Sequence, residues 1–212
     1  MGMMKHEKIR VLLLYLLLII VVYSSVVFLG KSLITSLSYP LGVTQNSPFG
    51  YQGRKPVNIF NIDNGSPSYY EAPINRLVGK YYLSGELPLW NPHQAAGTPL
   101  AAQYSSRAFF PYQILENISP YWLWDYFILG RLLIAAFFTY LFLRSLSVSV
   151  HCAFLGGIFY AFSGTFTWFI NSEQFVNVAM MVPILMLTVE SLVKKKSGFS
   201  VITAESGRAG VE

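Results

Sequence analysis

Four apolar runs, separated by segments richer in polar and turn-forming residues, dominate the pattern along the chain. They cover residues 9–29, 121–143, 150–170 and 174–193. A helix needs roughly 20 apolar residues to cross the hydrocarbon core of a membrane, and each run meets that length. The first run exceeds the apolar core of a signal peptide and no small-residue cleavage site follows it, so we expect an uncleaved anchor. The pattern predicts about four transmembrane helices.

Composition supports a membrane protein. Hydrophobic residues make up 53% of the 212 residues and charged residues 12%, which lies outside the range usual for soluble domains. We therefore expect an all-α polytopic protein that crosses the cell membrane several times. The single cysteine, Cys152, lies within the third run, so the sequence predicts neither an intrachain disulfide nor a thiolate metal site.

Cations mark one side of the predicted membrane. Lys5, Lys8 and Arg10 precede the first run, Arg144 separates the second run from the third, and residues 194–196 are lysines that follow the fourth. Lysine and arginine close to the ends of spans are retained in the cytoplasm, and all of these groups fall on one side. We therefore expect a cytoplasmic N-terminus.

The same topology assigns the segments outside the spans. Residues 1–8 form the cytoplasmic N-terminus, residues 30–120 a long extracytoplasmic loop, and residues 194–212 a cytoplasmic tail that we expect to be truncated. The net charge of +5 follows from this placement of the cations. Nucleic-acid binding would need a continuous basic face with interleaved aromatic residues, so we expect no nucleic-acid partner.

The long loop contains local order. Residues 71–83 place apolar side chains on one helical face, with Arg76 and Lys80 opposite, which predicts a short amphipathic helix lying at the membrane surface. Aromatic residues at 109–112 predict a second surface segment before the next span. The apolar positions of the first helix are Ile74, Leu77, Val78, Tyr81 and Tyr82.

Between these two segments lies a stretch that we call the Trp90 bend, residues 84–103, SGELPLWNPHQAAGTPLAAQ. Its prolines fix φ and its glycines permit turns that other residues resist, which predicts a stiff, irregular turn. The ring of Trp90 suits the boundary between acyl chains and water. We expect the bend to lie at the outer membrane interface.

The chain resembles the N-terminal part of the YfhO-type bacterial membrane proteins, a branch of the GT-C glycosyltransferase superfamily. The resemblance is carried by Asp63 in the outer loop, by GELPLWNP with a following GTPL in the Trp90 bend, and by residues 143–169 and 181–192. It implies transfer of a sugar from a polyprenyl-phosphate donor to an extracytoplasmic acceptor, such as a cell-wall polymer or a lipid-linked glycan. Proteins of this kind carry more spans, so we expect this chain to be a fragment that is inactive alone.

The resemblance also assigns candidate roles. In such enzymes a carboxylate of the first outer loop sits at the mouth of the bundle, and Asp63 occupies that place here. Inverting transfer needs a base for the acceptor proton and stabilisation of the departing phosphate. Asp63 is thus the candidate catalytic base or, alternatively, a ligand of a divalent cation, Mg or Mn. The candidate substrate-binding residues are Trp90, Asn91, His93, Arg131 and Glu173.

Several candidates also have a structural interpretation. Arg131 lies near the middle of the second run, where an isolated charge is costly, so it must face the bundle interior. The functional interpretation gives it a carrier phosphate or a carboxylate of another helix as partner. The structural interpretation is a contact between helices, and that one is favoured. Asp125 lies about 240° away around the helix, so we expect no close pair between the two. Glu173 and Asn171 fit a solvated tip between two spans, and Glu71 fits the positive end of the surface helix.

A second function remains open. The same loop would suit a non-catalytic membrane protein that transports or scaffolds lipid-linked glycans, with the Trp90 bend as a gate. His93 lies within that bend, but one histidine without a partner is weak evidence for a metal site. The two functions differ in Asp63, which is essential to the enzyme and dispensable to the transporter.

Overall fold

The computed structural model describes residues 2–33, 55–56, 70–170 and 172–208, and the side chains of residues 6–33, 70–170 and 172–195. This part of the chain is mostly helical. The helices are α1 Gly2–Val22, α2 Ser24–Val27, α3 Ala72–Leu83, α4 Pro111–Ile118, α5 Trp124–Ser145, α6 Val150–Ala161, α7 Gly164–Trp168 and α8 Glu173–Arg208, with 3-10 turns at Tyr104–Ser106 and Tyr121–Leu123. The strands are β1 Lys31–Ser32, β2 Lys55–Pro56, β3 Trp90–Asn91 and β4 Thr98–Pro99; β1 pairs with β2 in parallel and β3 with β4 antiparallel.

Three helical segments of the described chain are long and apolar enough to cross a membrane: Tyr121–Ser145, Val150–Trp168 and Glu173–Lys195. They correspond to the second, third and fourth predicted runs. The first run is helical as α1, which gives way at Tyr23 to the short α2, and its role as a span stays a prediction. The last helix runs on to Arg208, through most of the segment predicted as a polar tail.

The candidate span Val150–Trp168, which corresponds to the third predicted run, is not a single helix. It is α6 followed by α7, and Phe162 and Ser163 lie between the two. Ser163 is extended, with ψ at 165°, and Gly164 begins the next helix. Serine followed by glycine favours a helix break because serine competes for backbone hydrogen bonds and glycine gains little from the helix.

α5 is the centre of the bundle and packs against α1, α6 and α8. The contact of α1 with α6 depends on a small residue, since Tyr15 reaches Gly157 and a Cβ there would collide with the tyrosine hydroxyl. That hydroxyl donates to the carbonyl of Phe154 at 2.9 Å, and the two rings stack with centroids 4.8 Å apart. These contacts fix α1 on the bundle.

Contacts also place the predicted cation groups together. Glu7 of α1 lies 3.3 Å from the Nε atom of Arg144 at the end of α5. Lys194 of α8 donates to the carbonyl of Ser145. The N-terminus of α1, the end of α5 and the lysines of α8 therefore lie at one end of the bundle, which we call the cationic end.

Residues 70–118 form a layer at the opposite end, which we call the platform. Its apolar core contains Ile74 and Val78 of α3 together with Leu100 and Ala108. We expected the apolar face of α3 to lie on the membrane surface. It packs on protein instead, because the chain that follows folds back over it and an apolar stripe serves any apolar partner equally well.

The tyrosines of α3 take part in the same packing. The hydroxyl of Tyr81 donates to the carbonyl of Trp90 at 2.9 Å, and that of Tyr82 to the carbonyl of Ala108 at 2.8 Å. Both hydroxyls are thus bonded inside the platform. The predicted second surface segment is α4, which packs beside α3.

The Trp90 bend is more regular than we expected. Trp90 pairs with Pro99 and Asn91 with Thr98, so the bend contains a small β-hairpin. Gly97 has φ at +103°, and a Cβ there would lie 2.5 Å from the Cζ2 atom of Trp90. The hairpin therefore needs glycine at this position for both its backbone conformation and its space.

Candidate functional site

Two adjoining clefts lie along α3, and together we call them the α3 groove. They have volumes of about 370 and 270 Å³ and share Leu77 and His93. Lys80 lines the smaller cleft, and Asn91 lines the larger one. The groove therefore combines an apolar wall from α3 with polar groups from the Trp90 bend.

Three predicted substrate-binding residues lie at or beside this groove. The side chain of Asn91 is buried. Its Oδ1 accepts from the backbone N–H of His93 at 3.0 Å, and its Nδ2 lies 3.4 Å from the Oε1 of Gln94. His93 is exposed and lines both clefts. Trp90 is 51% exposed and covers Gly97. Asn91 thus shapes the turn that presents His93.

A buried network of charged and amide side chains lies between the platform and α8. Arg107 is 3.3 Å from a carboxylate oxygen of Glu71 and 3.0 Å from one of Glu173. It also donates to Asn75 at 2.9 Å and to Gln174 at 3.1 Å. This arginine therefore joins α3 to the first turn of α8.

The backbone of Arg107 is in the left-handed region, with φ at 44° and ψ at 33°. This conformation is uncommon for residues other than glycine and is held only where the surroundings determine it. Here the guanidinium enters a site lined by two carboxylates. Interactions of the side chain thus accompany the unfavourable backbone conformation.

A second set of contacts surrounds Arg131. Its guanidinium donates to the carboxylate of Glu116 on α4, to Oε1 of Gln113 at 3.0 Å and to Oδ1 of Asn177 at 2.7 Å. Arg131 and Glu116 are both 0% exposed. The Nδ2 of Asn177 donates to the same Gln113 oxygen at 3.0 Å. Arg131 therefore connects α5 to both the platform and α8.

These two sets form one layer, which we call the charge layer: Glu71, Asn75, Arg107, Gln113, Glu116, Arg131, Glu173, Gln174 and Asn177. Glu173 and Asn177 lie one turn apart on α8, so the sets adjoin. Within the layer three carboxyl groups face two guanidinium groups. Burial raises the pKa of Glu116 to about 8, although Arg131 opposes the shift. Burial likewise raises the pKa of Glu71 against the effect of Arg107.

Some buried polar atoms of the charge layer keep spare hydrogen-bonding capacity. Oε1 of Glu116, Nη1 of Arg131 and Nε of Arg107 have no hydrogen-bond partner among the described residues. A protonated Glu116 carries a donor in addition to its acceptors. The layer can therefore accept a proton at Glu116, and its net charge changes when that proton leaves.

The structure brings two of the predicted site residues into the charge layer. Arg131 meets a carboxylate from another helix, one of the two partners named for it from the sequence, and Glu173 is buried rather than a solvated tip. Asp125 points elsewhere, since it accepts from the hydroxyl of Ser32 at 2.9 Å and from the backbone N–H of Leu33 at 2.8 Å. Asp63 and Asn171 lie outside the described residues.

Other members of the charge layer were not found from the sequence. Arg107, Gln113, Glu116 and Asn177 were not singled out, and Glu71 was assigned to a helix end. The spacing of two of them along the sequence is a signal that could have been used. Gln113 and Glu116 are three residues apart on α4, so they share a helical face, and they precede a span that carries a buried arginine.

The described residues hold no group of three or more histidine, cysteine, aspartate or glutamate side chains placed to bind a metal ion. Asp63, the candidate metal ligand, lies outside these residues. Comparison of the chain with protein-family models, with curated proteins and with solved structures finds no match in any of the three.

Proposed function

We propose that the chain is the N-terminal part of an integral membrane glycosyltransferase. It transfers a sugar from a polyprenyl-phosphate donor to an extracytoplasmic acceptor, a cell-wall polymer or a lipid-linked glycan. The observation that supports this most is the α3 groove, which lies in the platform at the end of the bundle opposite the cationic end. Under the positive-inside rule that end is extracytoplasmic.

The composition of the groove suits a lipid-linked sugar phosphate. Leu77 and Ile74 provide an apolar wall, and the half-exposed Trp90 lies beside it. Lys80 and His93 bring donors to the smaller cleft. A lysine ammonium binds phosphate as a point charge. Mostly apolar clefts with a few placed polar groups are typical ligand sites.

Asp63 is the proposed base or, with Mg or Mn, the proposed metal ligand. It is separated by seven residues from Tyr70, which lines the larger cleft. Seven residues reach at most about 25 Å, so the chain length permits Asp63 to approach the groove. Arg131 and Glu173, deeper in the bundle, would act by holding the platform in place.

The test is Asp63→Asn in the full-length product of the gene, assayed for transfer from a polyprenyl-phosphate sugar in membranes. General base catalysis contributes about 10²–10⁴-fold, so a loss in that range is expected. Glu190→Gln is the control, because Glu190 pairs with Lys194 at the cationic end and not at the groove. Wild-type transfer by the Asp63 variant would reject the proposal. Chelation followed by addition of Mg or Mn separates a metal ligand from a base.

One observation favours a second candidate, a protein that transports lipid-linked glycans without catalysis. The charge layer holds three carboxyl groups and two guanidinium groups beside two candidate spans, and buried ionisable groups of this kind are found in proton-coupled transporters. This alternative predicts that Asp63→Asn retains function and that Arg131→Met abolishes flipping of a labelled lipid-linked glycan in proteoliposomes. Retention of flipping by Arg131→Met would reject it.

A further inference from the structure

A groove at the cationic end is separate from the α3 groove and from the charge layer. It lies between the start of α1 and the start of α6, with a volume of about 650 Å³. We call it the basic groove. Its polar half is formed by His6, Arg10 and His151, and its apolar half by Val11, Leu14 and Phe154.

The basic groove follows the polarity gradient of a membrane boundary. The candidate span that contains α6 begins at Val150, so His151 lies where the hydrocarbon core begins. Phe154 lies one turn further along α6, and Leu14 one turn beyond Arg10 on α1. A ligand bound along the groove would therefore place a polar head beside Arg10 and an apolar chain beside Leu14.

The electrostatics of the groove favour an anion. His6, Arg10 and His151 take part in no ion pair or side-chain hydrogen bond with another described residue. Glu7 also lines the groove, but its carboxylate is engaged by Arg144 at 3.3 Å and by the hydroxyl of Tyr140. The charge of Glu7 is thus compensated by Arg144, and the charge of Arg10 is left for a ligand.

The floor of the groove is already ordered. Phe154 is stacked on Tyr15 and its carbonyl accepts from the tyrosine hydroxyl, while Val11 is 5% exposed and belongs to the core between α1, α5 and α6. A preformed apolar floor reduces the entropy lost when an acyl chain binds.

We propose that the basic groove binds an anionic phospholipid, with the phosphate between Arg10 and His151 and an acyl chain along Leu14 and Phe154. Basic pockets between helices at the membrane boundary are suited to such headgroups. This inference does not depend on the glycosyltransferase proposal, because it concerns the opposite end of the bundle.

The test uses the 212-residue chain in detergent, titrated with dioleoyl phosphatidylglycerol or dioleoyl phosphatidylcholine and followed by native mass spectrometry. We expect the anionic lipid to bind more tightly. Arg10→Gln should weaken its binding about fivefold, the effect of one cation near a lipid phosphate. Lys8→Gln is the matched control, since it removes the same charge from the same helix but does not line the groove.

Three results would overturn the proposal: equal affinity for the two lipids, an equal loss for Lys8→Gln and Arg10→Gln, or displacement of the lipid by glycerol 3-phosphate as readily as by phosphatidylglycerol. The last would mean that the groove binds phosphate without the chain. His151→Gln tests the same site from α6 and should also weaken binding, so the result does not depend on how well one variant of α1 folds.

Discussion

Arg131→Met should cost the folded state about 3–5 kcal/mol, and the contacts of the guanidinium account for the size. Removing it leaves Oδ1 of Asn177 without a described donor, and a buried acceptor without a partner costs about 1–3 kcal/mol. Gln113 and Glu116 each keep a second donor, since Asn177 donates to Gln113 and Gln113 to Glu116. Each therefore loses one bond of about 1 kcal/mol.

The matched control is Arg144→Met on the same helix. Arg144 and its partner Glu7 are 33% and 32% exposed in their side chains, whereas Arg131 and Glu116 are 0% exposed. An ion pair open to solvent contributes about 1 kcal/mol or less. The substitution is identical in the two variants, so the comparison contrasts a buried guanidinium with a partly exposed one.

The assay is unfolding of the purified chain by sodium dodecyl sulfate in mixed micelles, followed by circular dichroism. Glu116→Gln combined with Arg131→Met should recover part of the loss, because the amide is neutral at every pH and needs no cation beside it. Equal losses for Arg131→Met and Arg144→Met would refute the reasoning. So would strict additivity in the double variant, since it would mean that the two residues are not coupled.

Two further predictions concern the platform. The pKa of Glu116 is raised from 4.5 to about 8, so its contribution to stability is full below pH 4.5 and is lost as the pH rises through about 8. Glu116→Gln should therefore flatten the fall in unfolding free energy between these two pH values. An unchanged slope would contradict the shift in pKa. Gly79→Ala should destabilise the chain by about 1–3 kcal/mol, because its Cβ would meet the backbone carbonyl of Asn117. The control Gly164→Ala has open space around its Cβ and should change the unfolding midpoint little, so equal effects of the two alanines would rule out the clash.

The helices follow from local patterns, which is why the sequence predicts them well. The apolar runs at 121–143, 150–170 and 174–193 coincide with the three candidate spans, and the stripe in residues 71–83 is α3. The helix break at Ser163 was missed, because one serine followed by glycine changes the mean hydropathy of a run very little.

The charge layer depends on pairs that are distant in sequence. Arg107 and Glu71 are 36 residues apart, and Arg131 and Asn177 are 46 apart. The cost of burying Arg131 predicts that a partner exists but cannot say which of several carboxylates it is. Arg107 gave no signal, because a loop arginine is usually solvated and its left-handed backbone is visible only in the fold.

The charge layer also explains how the platform is held over the bundle. Ile74 and Val78 of α3 are used within the platform, against Leu100 and Ala108, so their packing does not set its orientation towards the spans; of the buried apolar residues of α3, Ala72 packs with the core of the spans. Arg107 with Glu173 and Glu116 with Arg131 connect the platform to α8 and α5. Buried charged pairs add little net stability but are costly to break. We infer that they select one arrangement of platform and spans, which fixes the position of the α3 groove.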